Sequence, residues 1–115
     1  MGHGTSHYAN DVYAALDYRF KDLGHDNIHL ATVEGYPTLE NVIRLVKEQG
    51  TKKVILTPFM IVAGDHARND MSGEDEDSWK NQFQAAGYEV ECCLKGLGEY
   101  PAVQNMLIRH VTEVC

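Results

Sequence analysis

Apolar residues recur along the chain with two alternating patterns, one typical of helices and the other of buried strands. Helical spacing marks four stretches, at residues 8–23, from Pro37 to Gly50, at residues 75–87, and from Pro101 onward. Short apolar runs lie between them, at Asn27–Val33, Val54–Thr57 and Tyr88–Leu94. The pattern predicts the order α-β-α-β-α-β-α in a single α/β domain that covers residues 1–115.

The alternation also predicts how the strands are arranged. Strands that are separated by helices form a parallel sheet with right-handed crossovers, which here implies a three-layer fold with helices flanking the sheet. Val54–Thr57 is apolar without interruption, as expected of a strand that is buried on both faces. Gly24, Gly50 and Gly87 mark helix ends, and Pro101 suits the first turn of the last helix.

Two stretches depart from this regular alternation. Only Met1 precedes the turn Gly2-His3-Gly4-Thr5, so we expect the chain to start at the end of a strand whose body is absent, as in part of a longer protein. A natural short protein that begins in a loop is the alternative interpretation. Residues 60–73 show no sustained period and are predicted to form a long functional loop.

Charge and composition exclude several classes of protein. The chain has 17 acidic and 10 basic residues and a net charge of −7, which argues against binding to nucleic acids or to an anionic membrane. It contains neither an apolar run of about 20 residues, the length of a membrane span, nor a signal segment. The three cysteines have no metal-binding spacing and are expected to be free thiols in a cytoplasmic protein.

Candidate chemistry lies just after the predicted strands. In parallel α/β sheets, ligands bind at the carboxyl ends of the strands, and His3, Glu34 and His66 all fall there. Two imidazoles and one carboxylate suit a divalent ion such as Co2+, Fe2+, Ni2+ or Zn2+. Each residue alone also fits a structural or solvated role, so a metal or acid–base site rests on their combination.

Two other motifs are poor matches to known sites. Gly96-Leu97-Gly98-Glu99 lacks the third glycine and the setting of a dinucleotide-binding loop. Gly2-His3-Gly4 is similar to the Arg-His-Gly of histidine phosphatases, but glycine stands where that chemistry needs a cation to hold the phosphate. The sequence therefore indicates no nucleotide or phosphoryl-transfer site.

Several motifs together resemble one enzyme family. They are Gly2-His3-Gly4-Thr5 with His7 and Asn10, Val33-Glu34-Gly35-Tyr36-Pro37, the stretch from Pro58 to Met71, Asp77-Ser78-Trp79-Lys80, and Gly96-Leu97-Gly98-Glu99. In order and spacing they resemble the C-terminal half of the anaerobic sirohydrochlorin cobaltochelatases, lyases that insert Co2+ into sirohydrochlorin during cobalamin synthesis. The resemblance covers essentially all of the chain, and its middle stretch is the most specific part.

The resemblance implies a fold, a site and a substrate. The fold is chelatase-like, with two similar α/β halves around a tetrapyrrole cleft, and this chain corresponds to one of them. His3, Glu34 and His66 match the metal-binding positions, and His3 and His66 are the expected catalytic pair. We expect His3 to accept a proton from the ring once it is released from the metal. Co2+ is the substrate metal, and no nucleotide or redox cofactor is expected.

Other residues are expected to assist at this site. Arg68 and His7 are candidates for contact with the acidic tetrapyrrole, although a surface arginine in a loop is an equally good interpretation of Arg68. Asp65 and Asp70 are candidates for orienting His66, or else they simply form the loop. The absent half implies either a homo-oligomer or pairing with an N-terminal half.

Two other functions are alternatives to a cobaltochelatase. One is a metal- or tetrapyrrole-binding half-domain without turnover, and the other is an iron or nickel chelatase.

Overall fold

The computed structural model describes all 115 residues and contains helices of three kinds and a small sheet. The α-helices are α1 (Asp11–Asp22), α2 (Leu39–Glu48), α3 (Trp79–Ala85) and α4 (Pro101–Val114). The strands are β1 (Lys53–Leu56) and β2 (Glu89–Cys92). Shorter helical turns are the 3-10 turns Tyr8–Asn10 and Leu97–Glu99 and the π-helical turn His66–Met71. The α/β class predicted from the sequence is confirmed.

Local capping explains where α2 and α3 begin. The Thr38 hydroxyl accepts a hydrogen bond from the Asn41 N–H, which completes a capping box at the start of α2. The Ser78 side chain caps α3 in the same way through the Asn81 N–H. For this reason α3 begins at Trp79 and not near Asp75, where the sequence pattern suggested.

The strands form a parallel arrangement around the start of the chain. β1 pairs with β2 in parallel, with Lys53 opposite Glu89 and Leu56 opposite Cys92. Gly2 forms a parallel bridge with Thr32, and the Phe59 N–H donates to the Met1 carbonyl at 2.7 Å. Met1 and Gly2 therefore lie between the segment around Thr32 and the chain that continues from β1.

The sheet is smaller than the sequence pattern predicted. Asn27–Val33 is not a continuous strand, because only Met1 and Gly2 lie beside it and Thr32 alone forms a bridge. The paired strands β1 and β2 make a two-stranded sheet, which is consistent with a chelatase-like α/β fold. The three-layer arrangement remains a prediction.

The predicted loop at residues 60–73 contains a helical turn that the pattern did not indicate. His66–Met71 is π-helical, and the Ser72 hydroxyl donates to the carbonyls of Ala67 and Arg68 at 3.1 and 3.2 Å. Ala67 and Met71 are fully buried, which anchors this turn to the core. Single π-helical turns occur frequently at functional sites, and this one carries His66.

A compact apolar core lies on one side of the sheet. Its residues come from the start of the chain, the segment before Thr32, α2, β1, the π-helical turn and α3. They are Met1, Ala31, Leu39, Leu56, Met71, Trp79 and Phe83. α4 contributes no buried residue, and its predicted apolar stripe is largely exposed, with Met106, Leu107, Val111 and Val114 all accessible. The core therefore fixes the strand ends while α4 keeps an uncovered apolar face.

No helix has the length and apolar character that crossing a bilayer requires.

Candidate metal centre

Two adjacent loops bring His3 and Glu34 together at the end of the sheet. The Val33 N–H donates to the Gly2 carbonyl at 3.0 Å, and the Glu34 N–H donates to the His3 carbonyl at 2.9 Å. The first of these bonds belongs to the parallel bridge between Gly2 and Thr32, and the second continues the pairing towards the C-terminal side. The His3 and Glu34 side chains therefore project from neighbouring positions at the same rim.

Asn10 joins these two loops through its side-chain amide. Its Oδ1 accepts from the Thr5 N–H at 2.9 Å, and its Nδ2 donates to the Tyr36 carbonyl at 2.7 Å. Asn10 is buried, so both bonds are shielded from water. The sequence analysis included Asn10 in the motif that begins at Gly2 but assigned it no role.

Gly35 is required where these loops approach one another. A Cβ atom at Gly35 would lie 2.3 Å from the Asn10 Oδ1, a separation that no side chain can accept. Gly4 faces the same crowding and has a φ of 81°, a conformation that favours glycine. The close packing of the two loops thus depends on residues without side chains.

The third member, His66, comes from the π-helical turn. Its Nδ1 forms a short hydrogen bond of 2.5 Å with the Asp70 Oδ2, as expected where a carboxylate is the acceptor. An ionised carboxylate only accepts hydrogen bonds, so Nδ1 carries the hydrogen. The lone pair of a neutral His66 is then on Nε2, which faces His3.

The three side chains form a compact set of potential ligands. One ligand atom from each of His3, Glu34 and His66 lies within 4.8 Å of the others. The two Nε2 atoms are 2.8 Å apart, and the His3 Nδ1 is 4.0 Å from the Glu34 Oε2. A tetrahedral ion with bonds of about 2.0–2.2 Å spaces its ligand atoms by about 3.4 Å, so small side-chain shifts would admit one.

The exposure of the set distinguishes it from a closed structural site. The side chains of His3 and Glu34 are 49% and 54% exposed, and that of His66 is 36% exposed. Three protein ligands at an open rim leave coordination positions free for another molecule, as in reactive metal sites. The arrangement can therefore hold an ion and present it to a partner.

The other predicted site residues take different positions. His7 is exposed, and its Nδ1 accepts from the Ala9 N–H at 3.0 Å, so one ring nitrogen caps the first 3-10 turn. The exposed Arg68 is bonded only weakly, with Nε 3.4 Å from the Ala63 carbonyl. Asp65 starts the π-helical turn without a side-chain cap bond. Of the four residues predicted to assist at the site, only Asp70 is hydrogen-bonded to His66.

Asp70 offers a direct test of how His66 is oriented. We expect Asp70→Ala to weaken Co2+ binding by about 10- to 100-fold, because a histidine ligand loses the carboxylate that fixes its tautomer. Asp65→Ala removes the same charge from the neighbouring position and should change the Kd by less than about threefold, since it makes no bond to His66. Isothermal titration with Co2+ measures both values. Equal losses in the two variants would contradict the specific role of Asp70.

Asn10 offers a test of how the two loops are joined. Asn10→Ala should lower the free energy of unfolding by about 1–3 kcal/mol, because it leaves the Thr5 N–H and the Tyr36 carbonyl without partners. The exposed Asn27 serves as control, and Asn27→Ala should change the free energy of unfolding by less than about 0.5 kcal/mol. Urea unfolding followed by tryptophan fluorescence gives both values. An Asn10→Ala variant with unchanged stability would show that the bonds of Asn10 to the two loops are dispensable.

Fold and site together define an α/β protein with a candidate site for a divalent metal. A family model described as cobalt chelatase (CbiK) matches residues 1–115. The match covers the whole chain, including the three candidate ligands. This chain therefore belongs to the cobalt chelatase family.

Two relatives bear names that agree with this family. A protein of Salmonella typhimurium (strain LT2) named sirohydrochlorin cobaltochelatase is 43% identical over 111 residues, which is 96% of this chain and 42% of that protein. Sirohydrochlorin cobaltochelatase CbiKC of Nitratidesulfovibrio vulgaris (strain Hildenborough) is 35% identical over 112 residues, or 97% of this chain and 39% of that protein. The chain thus spans about two fifths of the length of these relatives.

Proposed function

We propose that this chain binds Co2+ through His3, Glu34 and His66 and delivers it to sirohydrochlorin, the substrate in the names of its relatives. This reaction would serve anaerobic cobalamin synthesis. The observation that supports this most is the convergence of two histidines and one carboxylate within 4.8 Å at an open rim. Neutral imidazole and carboxylate ligands suit Co2+, and the incomplete ligand set leaves positions for the nitrogens of the ring.

The hydrogen bond between the two histidines suggests how ion and proton exchange. The 2.8 Å contact between the Nε2 atoms requires that one of them carries a hydrogen. A metal bound to both Nε2 atoms would exclude that hydrogen, which then moves to the Nδ1 of the same ring or leaves as a proton. When the ring nitrogens take the ion, they lose their two N–H protons, and the freed imidazoles are placed to accept them.

His3 is the better candidate for the proton acceptor. His66 is held by a short hydrogen bond to Asp70, whereas the His3 ring lies 3.1 Å from the Gly4 carbonyl, 4.0 Å from the Glu34 carboxylate and 2.8 Å from His66. His3 is also the more exposed of the two side chains. It can therefore move away from the ion as the macrocycle approaches, while His66 stays in place.

Arg68 and its surroundings supply a plausible grip on the macrocycle. Arg68 forms no ion pair and lines a shallow cavity of about 430 Å³ together with Ile61, Val62 and Leu94. Ile61 and Val62 are exposed apolar side chains, which suit the face of a tetrapyrrole, and the guanidinium suits a carboxylate substituent. Arg68 lies two residues after His66 in the same π-helical turn, and we propose that one ligand contacts both residues.

Anaerobic spectrophotometry tests the proposed reaction. The chain is mixed with sirohydrochlorin and Co2+, with His3→Ala and His66→Ala measured alongside it. We expect insertion to exceed the protein-free rate and to return to that rate in both variants. Binding of Co2+ without any acceleration would favour the alternative of a binding half-domain. Insertion of Fe2+ or Ni2+ faster than Co2+ would favour the other alternative.

We further propose that the chain forms one α/β half of a two-half, three-layer chelatase fold. The short match to its relatives and the exposed apolar stripe of α4 support this arrangement. A second copy or an N-terminal half would then supply the other wall of the tetrapyrrole cleft. Light scattering over a range of concentrations tests the first possibility, because a monomer at every concentration would exclude a homo-oligomer.

A further inference from the structure

The glycine-rich motif at residues 96–99, which does not suit a nucleotide, packs against the backbone of residues 60–63. The N–H groups of Leu97 and Gly98 donate to the first two carbonyls of that segment, at 2.7 and 2.9 Å. We refer to residues 96–99 as the glycine turn and to residues 60–63 as the wall segment. Two consecutive backbone hydrogen bonds therefore join the glycine turn to the wall segment.

Glycine is required where these two backbones meet. A Cβ atom at Gly96 would lie 2.5 Å from the Ile61 carbonyl oxygen and 2.9 Å from the Ala63 nitrogen. A Cβ atom at Gly98 would lie 3.1 Å from the same carbonyl oxygen. The two backbones thus approach more closely than a side chain at Gly96 would allow. The contact therefore depends on the shape that the glycine turn adopts.

Glu99 closes the glycine turn through both backbone groups of Gly96. The Glu99 Oε2 accepts from the Gly96 N–H at 2.8 Å, and the Glu99 N–H donates to the Gly96 carbonyl at 3.1 Å. A carboxylate is a strong acceptor for a backbone N–H. The other side-chain bond to the turn comes from Gln104, which donates to the Gly98 carbonyl at 2.9 Å. Glu99 is therefore the one side chain that accepts a hydrogen bond from the turn.

The wall segment and the glycine turn both line the cavity that contains Arg68. Ile61 and Val62 come from the wall segment, and Gly98 and Glu99 come from the glycine turn. Ile61 is 56% exposed and Val62 is 72% exposed. Apolar side chains gain free energy when they leave water, so a segment that could move freely would tend to bury them. The bonds from the glycine turn instead hold the backbone in the arrangement that presents both side chains to a ligand.

The metal ligand that follows the wall segment has a separate support. His66 is hydrogen-bonded to Asp70, and its π-helical turn is fixed to the core by the buried residues Ala67 and Met71. None of these contacts involves the glycine turn. A change in the glycine turn should therefore alter the wall of the cavity while leaving the position of His66 as it is.

We propose that Glu99 is a positioning residue for the tetrapyrrole, because it holds the wall segment in the shape that receives one face of the macrocycle. This inference rests on the proposed function, since its ligand is sirohydrochlorin. The acceptor oxygen of Glu99 carries the role, and its charge does not. Glu99 forms no ion pair, and a carboxylate at the cavity repels an acidic ligand.

Anaerobic titration with metal-free sirohydrochlorin, followed by the absorption of the tetrapyrrole, tests this role. Glu99→Ala removes the acceptor oxygen, and we expect the Kd for sirohydrochlorin to rise by about tenfold or more. Glu99→Gln removes the charge but keeps an acceptor oxygen, so its Kd should stay within about threefold of the parent value. The Kd for Co2+ should change by less than about twofold in both variants. Glu113→Ala, which removes an exposed carboxylate of α4, is the matched control and should change neither value.

Hydrogen exchange of the same variants shows whether the glycine turn itself has opened. The Leu97 and Gly98 amides donate to the wall segment, so their exchange should become about tenfold faster in Glu99→Ala and stay as in the parent chain in Glu99→Gln. The amides of β1 and β2 should exchange as in the parent chain in both variants. This pattern distinguishes local opening of the turn from a general loss of stability.

Three results would overturn the role of Glu99. They are parent-like binding of sirohydrochlorin by Glu99→Ala, equal losses in Glu99→Ala and Glu99→Gln, and a loss of Co2+ binding that matches the loss of tetrapyrrole binding. A parent chain that binds no sirohydrochlorin is a different result, because it would contradict the proposed function and this inference together.

Discussion

Replacing His66 with alanine is expected to abolish Co2+ binding at the candidate centre, with an affinity loss on the order of 100-fold or more. His66 contributes the Nε2 that faces His3 at 2.8 Å, and it is the ligand that Asp70 holds in place. Without it, the ion retains only His3 and Glu34, which are both about half exposed to water. Two ligands that are half exposed to water compete less well with hydration of the ion than three convergent ligands do.

Visible absorption of bound Co2+ gives the measurement, because the intensity of its d–d bands reports coordination number. The matched control is His25→Ala, which removes an exposed imidazole from the turn after α1, outside the three-residue set. We expect the control to bind as the parent chain does. If His66→Ala retained the same spectrum and affinity, the ligand set proposed here would be wrong.

Stability is expected to fall as the pH is lowered from 8 to 5, owing to the buried amine of Met1. Its pKa is about 5 in the folded chain against 8.0 for the ordinary group. Between these values the unfolded chain binds a proton that the folded chain does not, so acid favours unfolding. The contribution of the buried amine to the free energy of unfolding is fully present above pH 8 and lost below pH 5. Its total is on the order of 4 kcal/mol.

Urea unfolding at several pH values between 5 and 8 measures this effect. Other groups titrate in the same range, so the control is the same chain with an acetylated amino terminus. The acetyl amide keeps one N–H that can donate to the Thr57 carbonyl, but it does not ionise. The acetylated chain should therefore lose markedly less stability at acid pH. Parallel curves for the two chains would rule out the amine as the cause.

Local sequence signals were sufficient for most of the helices and for β1 and β2. Thr38, Ser78 and Pro101 act within a few residues of the helix starts that they define, so their effect can be read without knowledge of the fold. The ligands His3, Glu34 and His66 could be grouped because parallel strands place their carboxyl ends at one edge. The structure brings these three together as the sequence indicated.

The features that could not be predicted depend on contacts between distant residues. Asn27–Val33 has a strand-like sequence, yet its pairing depends on a neighbour that contributes only Met1 and Gly2. The π-helical turn at His66–Met71 has no characteristic residue composition that would mark it in the sequence. It is anchored by the burial of Ala67 and Met71. The bonds of Asn10 to Thr5 and Tyr36 appear only once two loops have met.

The link that Asn10 makes between two loops has a consequence for the speed and strength of metal capture. Ordering a loop costs about 1–2 kcal/mol of conformational entropy per residue. This cost lowers the affinity of any ligand whose binding must order the loop. Here Asn10 has already fixed the backbone that carries His3 and Glu34 when the chain folds. An arriving ion has only side-chain rotations to select. In the proposed reaction, the backbone would stay in place while the ion passes to the ring, which would leave the site ready for another ion.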